Sequence, residues 1–193
     1  MAKLVVDQLD RSGKRVFLRA DFNVPLDGTR VTDDTRITAV LPTIRCVLDG
    51  GGSLVLASHL GRPKGKPDPK YSLRPVAERL EGLLGRPVAL LPDCVGPGVE
   101  ERARALRPGD IVLLENLRYH PEEEANDDGF ARSLAGLADV YVNDAFAAAH
   151  RAHASIEAIT RYLKPAAAGV LMGRGLGALD TIFGRPGRSL WGG

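Results

Sequence analysis

Short apolar runs alternate along this chain with longer stretches of helical period, and glycine, proline and aspartate separate them. Runs rich in valine and leucine at 15–20, 53–58, 88–91, 111–114 and 140–143 read as strands buried on both faces, with a sixth at 168–171. Apolar positions three and four apart predict helices at 36–48, 73–84, 99–106 and 128–137, and a short one near 155–159. The punctuation agrees with these bounds. Ser72 is placed to cap the second helix, Pro75 to sit in its first turn and Gly85 to close it in the left-handed conformation, while Gly50, Gly51 and Gly52 release the first helix into the next strand. Alternation of this kind builds an α/β fold: a parallel sheet with helices on both faces, a Rossmann-like three-layer sandwich.

Sheets of this type bind ligands beyond the carboxyl ends of their strands. Asp21-Phe22-Asn23 follows the first strand, His59-Leu60-Gly61-Arg62 the second and Glu115-Asn116-Leu117-Arg118 the fourth. Asp144-Ala145-Phe146 follows the fifth and leads to His150-Arg151-Ala152-His153. Loops are polar everywhere, so no single residue here decides anything, but four loops agreeing at one edge do. Arg62, Arg118 and Arg151, with Arg36 opening the first helix, offer forked donors to phosphate and carboxylate, each contact contributing about 1.5–3 kcal/mol. The plainer reading pairs one or two of them with carboxylates among Glu122, Glu123 and Glu124. Asp21 and Asn23 suit a hydroxyl. The ligand so described is a small anion with two charged ends and a hydroxyl.

Composition narrows the class. With 193 residues, 44% hydrophobic and 26% charged, the chain has material for a full core, and its net charge of +2 argues against nucleic acid by bulk electrostatics. Arginine makes up 20 of the 26 basic residues, a bias toward bidentate anion binding that codon usage also produces. No apolar run is long enough for a bilayer, and Cys46 and Cys94 have neither metal nor redox spacing, so reduced thiols and a cytoplasmic location are expected. His150 and His153 lack a third ligand at a recognised offset, and no metal site is expected. Ser58 and His59, being adjacent on a strand exit, point to opposite sides and make a poor nucleophile pair. The segment from Gly61 to Lys66 is too short for a Walker loop, and the glycines at 173, 175 and 177 fit a dinucleotide pattern only loosely.

Taken together, Arg19-Ala-Asp-Phe-Asn-Val-Pro25, Ser58-His-Leu-Gly-Arg-Pro63, Leu113-Leu-Glu-Asn-Leu-Arg118, Asn143-Asp-Ala-Phe146 and Ala149-His-Arg-Ala-His-Ala-Ser155 closely resemble phosphoglycerate kinase. The resemblance covers residues 1–172, which correspond to the family's N-terminal domain, the part that binds 3-phosphoglycerate or 1,3-bisphosphoglycerate. It implies substrate roles for Asp21, Asn23, Arg36, His59, Arg62, Arg118 and Arg151, with His150 as a further candidate and Arg36 as the catalytic group that stabilises the transferring phosphoryl. Beyond Met172 the family continues as a glutamate-rich interdomain helix. Gly173, Gly175 and Gly177 stand there instead, each costing roughly 1 kcal/mol in a helix interior, so residues 173–193 are expected to be a poorly ordered remnant of that helix and of the nucleotide domain's start. The resemblance therefore implies a monomeric chain that binds substrate weakly, holds no Mg-ATP or ADP tightly and is inactive without its partner nucleotide domain. The competing expectation is a non-catalytic domain that binds polyanions, including nucleic acid, with steep salt dependence.

Overall fold

A computed structural model describes residues 4–183, the last six of them as backbone only. Its strands are β1 (Arg15–Arg19), β2 (Leu26–Asp27), β3 (Arg30–Val31), β4 (Ser53–Ala57), β5 (Ala89–Leu90), β6 (Ile111–Leu113), β7 (Val140–Asn143) and β8 (Ala166–Ala168). Its helices are α1 (Thr35–Asp49), α2 (Arg74–Leu84), α3 (Pro97–Arg104), α4 (Pro121–Glu124), α5 (Asp128–Ala135) and α6 (Val170–Phe183). Six strands form one parallel sheet in the order β5-β6-β4-β1-β7-β8, and β2 with β3 makes a separate antiparallel hairpin.

Period-two alternation divides the core. Val16, Leu18, Leu54, Leu56, Val140 and Val142 face a layer containing α1 and α2. Phe17, Val55, Val112 and Tyr141 face the opposite layer, with α3 and α5. Helices thus cover both faces, as the sequence predicts for a parallel sheet. α1 runs through Pro42, which removes one backbone bond at a cost of about 3 kcal/mol. Its buried Ile37, Val40, Leu41, Ile44 and Val47 together contribute about 7 kcal/mol or more, so packing wins. Ser72 Oγ accepts from the Arg74 amide at the start of α2, and Gly85 ends it at φ 65°.

The last strand differs from expectation. The sixth strand is Ala166–Ala168, not 168–171, because the chain turns at Gly169 and enters α6 at Val170. A Cβ on Gly169 would lie 2.3 Å from the Asp144 carboxyl, so the backbone has to pass close there. α6 runs through Gly173, Gly175 and Gly177. Thr43 Oγ1 accepts from Val170 N at 2.9 Å and Asp144 Oδ1 accepts from Met172 N at 2.8 Å, placing a carboxylate at the positive end of the helix. Gly175 also lets α6 approach the Phe146 ring, which a Cβ would meet at 2.6 Å. The expectation for 184–193 lies outside the described residues.

Candidate functional site

The strand order reverses at β1. From β1 the chain moves to β4 on one side and, after β6, crosses to β7 on the other, leaving a crevice at the carboxyl ends of these strands. The cleft there has a volume of about 260 Å³ and is lined by Asp21, Asn23, Arg36, His59, Arg62, Arg118 and Arg151, with Gly61, Ala147 and Ala148. Seven of the eight residues picked from the sequence therefore meet in one cavity. His150 does not line it; its side chain is exposed at the outer side of the same loop. His153 is buried.

Four guanidiniums face one carboxylate in this cleft, and each is held differently. Arg36 Nη1 donates to the Asn23 carbonyl at 2.9 Å and pairs with Asp21 at 3.3 Å, which offsets the one negative charge present. Asn23 Oδ1 accepts from the Gly61 amide at 2.9 Å, leaving the amide nitrogen for whatever enters. Arg118 is almost fully buried, donates to the Gly61 carbonyl at 3.2 Å and lies 3.7 Å from Glu124. One of the suggested surface carboxylates does therefore engage an arginine. Arg62 and Arg151 are exposed and have no ion pair among the described residues. Their donors are available for an anion.

His59 works from below. Its Nδ1 lies 3.1 Å from Arg19 Nη2, and a guanidinium can only donate, so Nδ1 accepts and the neutral ring carries its proton on Nε2. Burial first, then Arg19, Arg118 and Arg151, drive its pKa from 6.5 down to about 2. The ring therefore stays a neutral donor toward the cleft. An unfolded chain accepts this proton near 6.5 while the folded chain refuses it, so the group's contribution is full above that pH and is lost as pH falls toward 2. The loss reaches at most about 1.4 kcal/mol per pH unit. Urea unfolding at neutral and mildly acidic pH should accordingly give a smaller difference in His59→Gln than in the native chain; equal losses in both would contradict the assignment.

Four residues that support the cleft were missed from sequence as such. Arg19 is fully buried, with Nε donating to Ser155 Oγ at 2.8 Å and Nη1 to the Ala20 carbonyl. Ser155 in turn donates from its hydroxyl to Glu123 Oε1 at 2.6 Å. Burial raises the Glu123 pKa and the Arg19 charge pulls it back. Asn116 joins the two loops by donating to the Leu60 carbonyl at 2.7 Å and the Tyr71 carbonyl at 2.9 Å. The available signal was a charged residue at the end of the apolar run Val16-Phe17-Leu18-Arg19, where a buried charge demands partners. Ser58, by contrast, is occupied by structure: its Oγ accepts from the Phe22 amide at 2.9 Å.

Neither glycine-rich segment fits a nucleotide phosphate. Gly173 donates its amide inside α6 to the Gly169 carbonyl at 2.8 Å, and the loop from Gly61 leads only to a 3-10 turn at Pro69–Tyr71.

Fold and cleft together define a doubly wound α/β domain that concentrates arginine at its topological switch point. A family model described as phosphoglycerate kinase matches residues 6–191. The phosphoglycerate kinase of Moorella thermoacetica is 60% identical over 188 residues, covering 97% of this chain and 48% of that protein. That of Syntrophobacter fumaroxidans is 61% identical over 165 residues, covering 85% and 42%. Among solved structures, phosphoglycerate kinase from Coxiella burnetii superposes with a TM-score of 0.83 at 37% identity, over 93% of this chain and 44% of that one. The Pyrococcus horikoshii enzyme gives 0.85 at 32%, over 96% and 47%. The chain belongs to the phosphoglycerate kinase family. It spans about half the length of the curated relatives it matches.

Proposed function

We propose that this chain is the substrate-holding half of a phosphoglycerate kinase, binding 3-phosphoglycerate or its acyl phosphate, 1,3-bisphosphoglycerate, in the arginine-lined cleft. The observation that carries the proposal is the convergence of Arg36, Arg62, Arg118 and Arg151 on one cavity with Asp21 and Asn23. Arg62 and Arg151, without side-chain partners among the described residues, take the phosphate at one end. Arg118 and the Nε2 proton of His59 add fixed donors, and Asp21 with Asn23 receives the hydroxyl. Arg36, half-exposed in the first turn of α1, stands where charge on a transferring phosphoryl group is best offset. Such a transfer asks for positioning and charge stabilisation, so no side-chain nucleophile is required.

The nucleotide and its magnesium are assigned to the part of the family's length that this chain does not span, and no step is routed through them here. The chain is accordingly proposed to act in the cytoplasm as a monomer that binds substrate without turning it over. Calorimetric titration of the purified chain with 3-phosphoglycerate should give saturable heat, reduced in Arg36→Ala. Mixing the chain with Mg-ATP and 3-phosphoglycerate should give no ADP above background. Absence of heat would overturn the binding proposal, and steady ADP release would overturn the division of labour.

A further inference from the structure

On the far side of β6 from the cleft, Asp93, Cys94 and His120 bring one ligand atom each to within 4.8 Å of one another. Sequence spacing hides this set, because His120 comes from the turn before α4 and the other two from the loop between β5 and α3. We propose that these three side chains form a zinc site of one thiolate, one imidazole and one carboxylate, with water as the fourth ligand. The site is separate from the substrate cleft, and the proposal stands independently of the function argued above.

Three observations support it. The donor types are those zinc selects, and tetrahedral bonds of about 2.0–2.3 Å set ligand atoms roughly 3.5 Å from one another, so the His120–Asp93 pair widens while no ligand atom lies farther than 4.8 Å from the others. His120 Nε2 already lies 2.6 Å from Asp93 Oδ1, with side chains 26% and 49% exposed, so both can swing to admit an ion. Asp93 and His120 also line a cavity of about 510 Å³, shared with Glu115, with room for the water ligand. Charge completes the argument. Cys94 is fully buried, and its Sγ donates to the Glu115 carbonyl at 2.9 Å. One thiolate and one carboxylate balance the two charges of zinc, so the occupied site is neutral where Cys94 is dry.

Binding is balanced by one proton: zinc forms its bond to sulfur, the S–H bond breaks and that proton goes to solvent, while the Nε2 proton that His120 donates to Asp93 moves to Nδ1 as the neutral ring changes tautomer and the His120–Asp93 contact gives way to two metal bonds. The loaded site would clip the loop before α3 to the segment that carries Arg118. The test uses the full chain and cobalt(II) as a spectroscopic probe. One equivalent should produce a thiolate-to-cobalt charge-transfer band, zinc should displace it, and zinc affinity should rise about tenfold per pH unit as one proton is released. The band should vanish in Cys94→Ser, weaken at least tenfold in affinity in His120→Gln, and persist in Cys46→Ser. No band in the native chain, a band that survives Cys94→Ser, or pH-independent affinity would each overturn the proposal. Should Cys94→Ser fail to fold by circular dichroism, His120→Gln with an unchanged native-like affinity would overturn it equally.

Discussion

Replacing Arg19 by methionine should destabilise the chain by roughly 3–5 kcal/mol, the usual cost of removing one member of a buried charge pair. Arg19 is the largest completely buried side chain among the described residues, and its guanidinium satisfies Ser155, the Ala20 carbonyl and His59 at once. Methionine fills much of the volume, so the loss is electrostatic rather than a cavity. Glu123, already short of one partner at Oε2, would lose the charge that most offsets its burial. His59 would lose the donor that fixes its tautomer. Urea denaturation measures the loss, and adding Glu123→Gln should restore part of it by removing the stranded carboxylate. A single variant within about 1 kcal/mol of the native chain would show that the network carries little of the fold's stability.

The largest loss of binding is expected in Arg62→Ala, which should weaken 3-phosphoglycerate affinity by about ten- to a hundredfold, from a charge-assisted contact of roughly 1.5–3 kcal/mol. Arg62 is the cleaner test because it is exposed and carries no ion pair among the described residues, so its removal leaves no buried group unsatisfied there. Thermal unfolding should move within about 0.5 kcal/mol of the native chain. Arg118→Ala would confound the two effects, since Arg118 also holds the Gly61 carbonyl. Unchanged affinity in Arg62→Ala would remove this residue from the site.

Why the sequence was legible in some places and opaque in others follows from what each signal depends on. β1, β4, β6 and β7 are buried on both faces, and uninterrupted valine and leucine runs report that directly. The cleft was legible because the groups that line it directly follow those strands. The hairpin of β2 and β3 was not, since strands of two residues cannot display alternation; only Asp27-Gly28, with Gly28 at φ 59°, marks the turn. The boundary near Gly169 failed for a similar reason. Ala166-Ala-Ala-Gly-Val-Leu-Met172 is apolar throughout, and an apolar run without period does not separate strand from helix. What decides it is Asp144, whose carboxylate accepts from Met172 N and from the Thr43 hydroxyl at 2.6 Å. The network of Arg19, Ser155 and Glu123 joins residues 136 and 32 positions apart, a tertiary fact that no local pattern encodes.

The central claim is that the cleft holds an anion charged at both ends. Calorimetric titration of the chain with 3-phosphoglycerate, glycerol 3-phosphate and glycerate, at one ionic strength, tests it most directly. Binding of 3-phosphoglycerate should be at least about tenfold tighter than that of either one-ended analogue, because each lacks one set of charge-assisted contacts. Equal affinity for all three, or heat that disappears with modest salt for all three alike, would contradict the account and leave a cationic surface without a specific ligand.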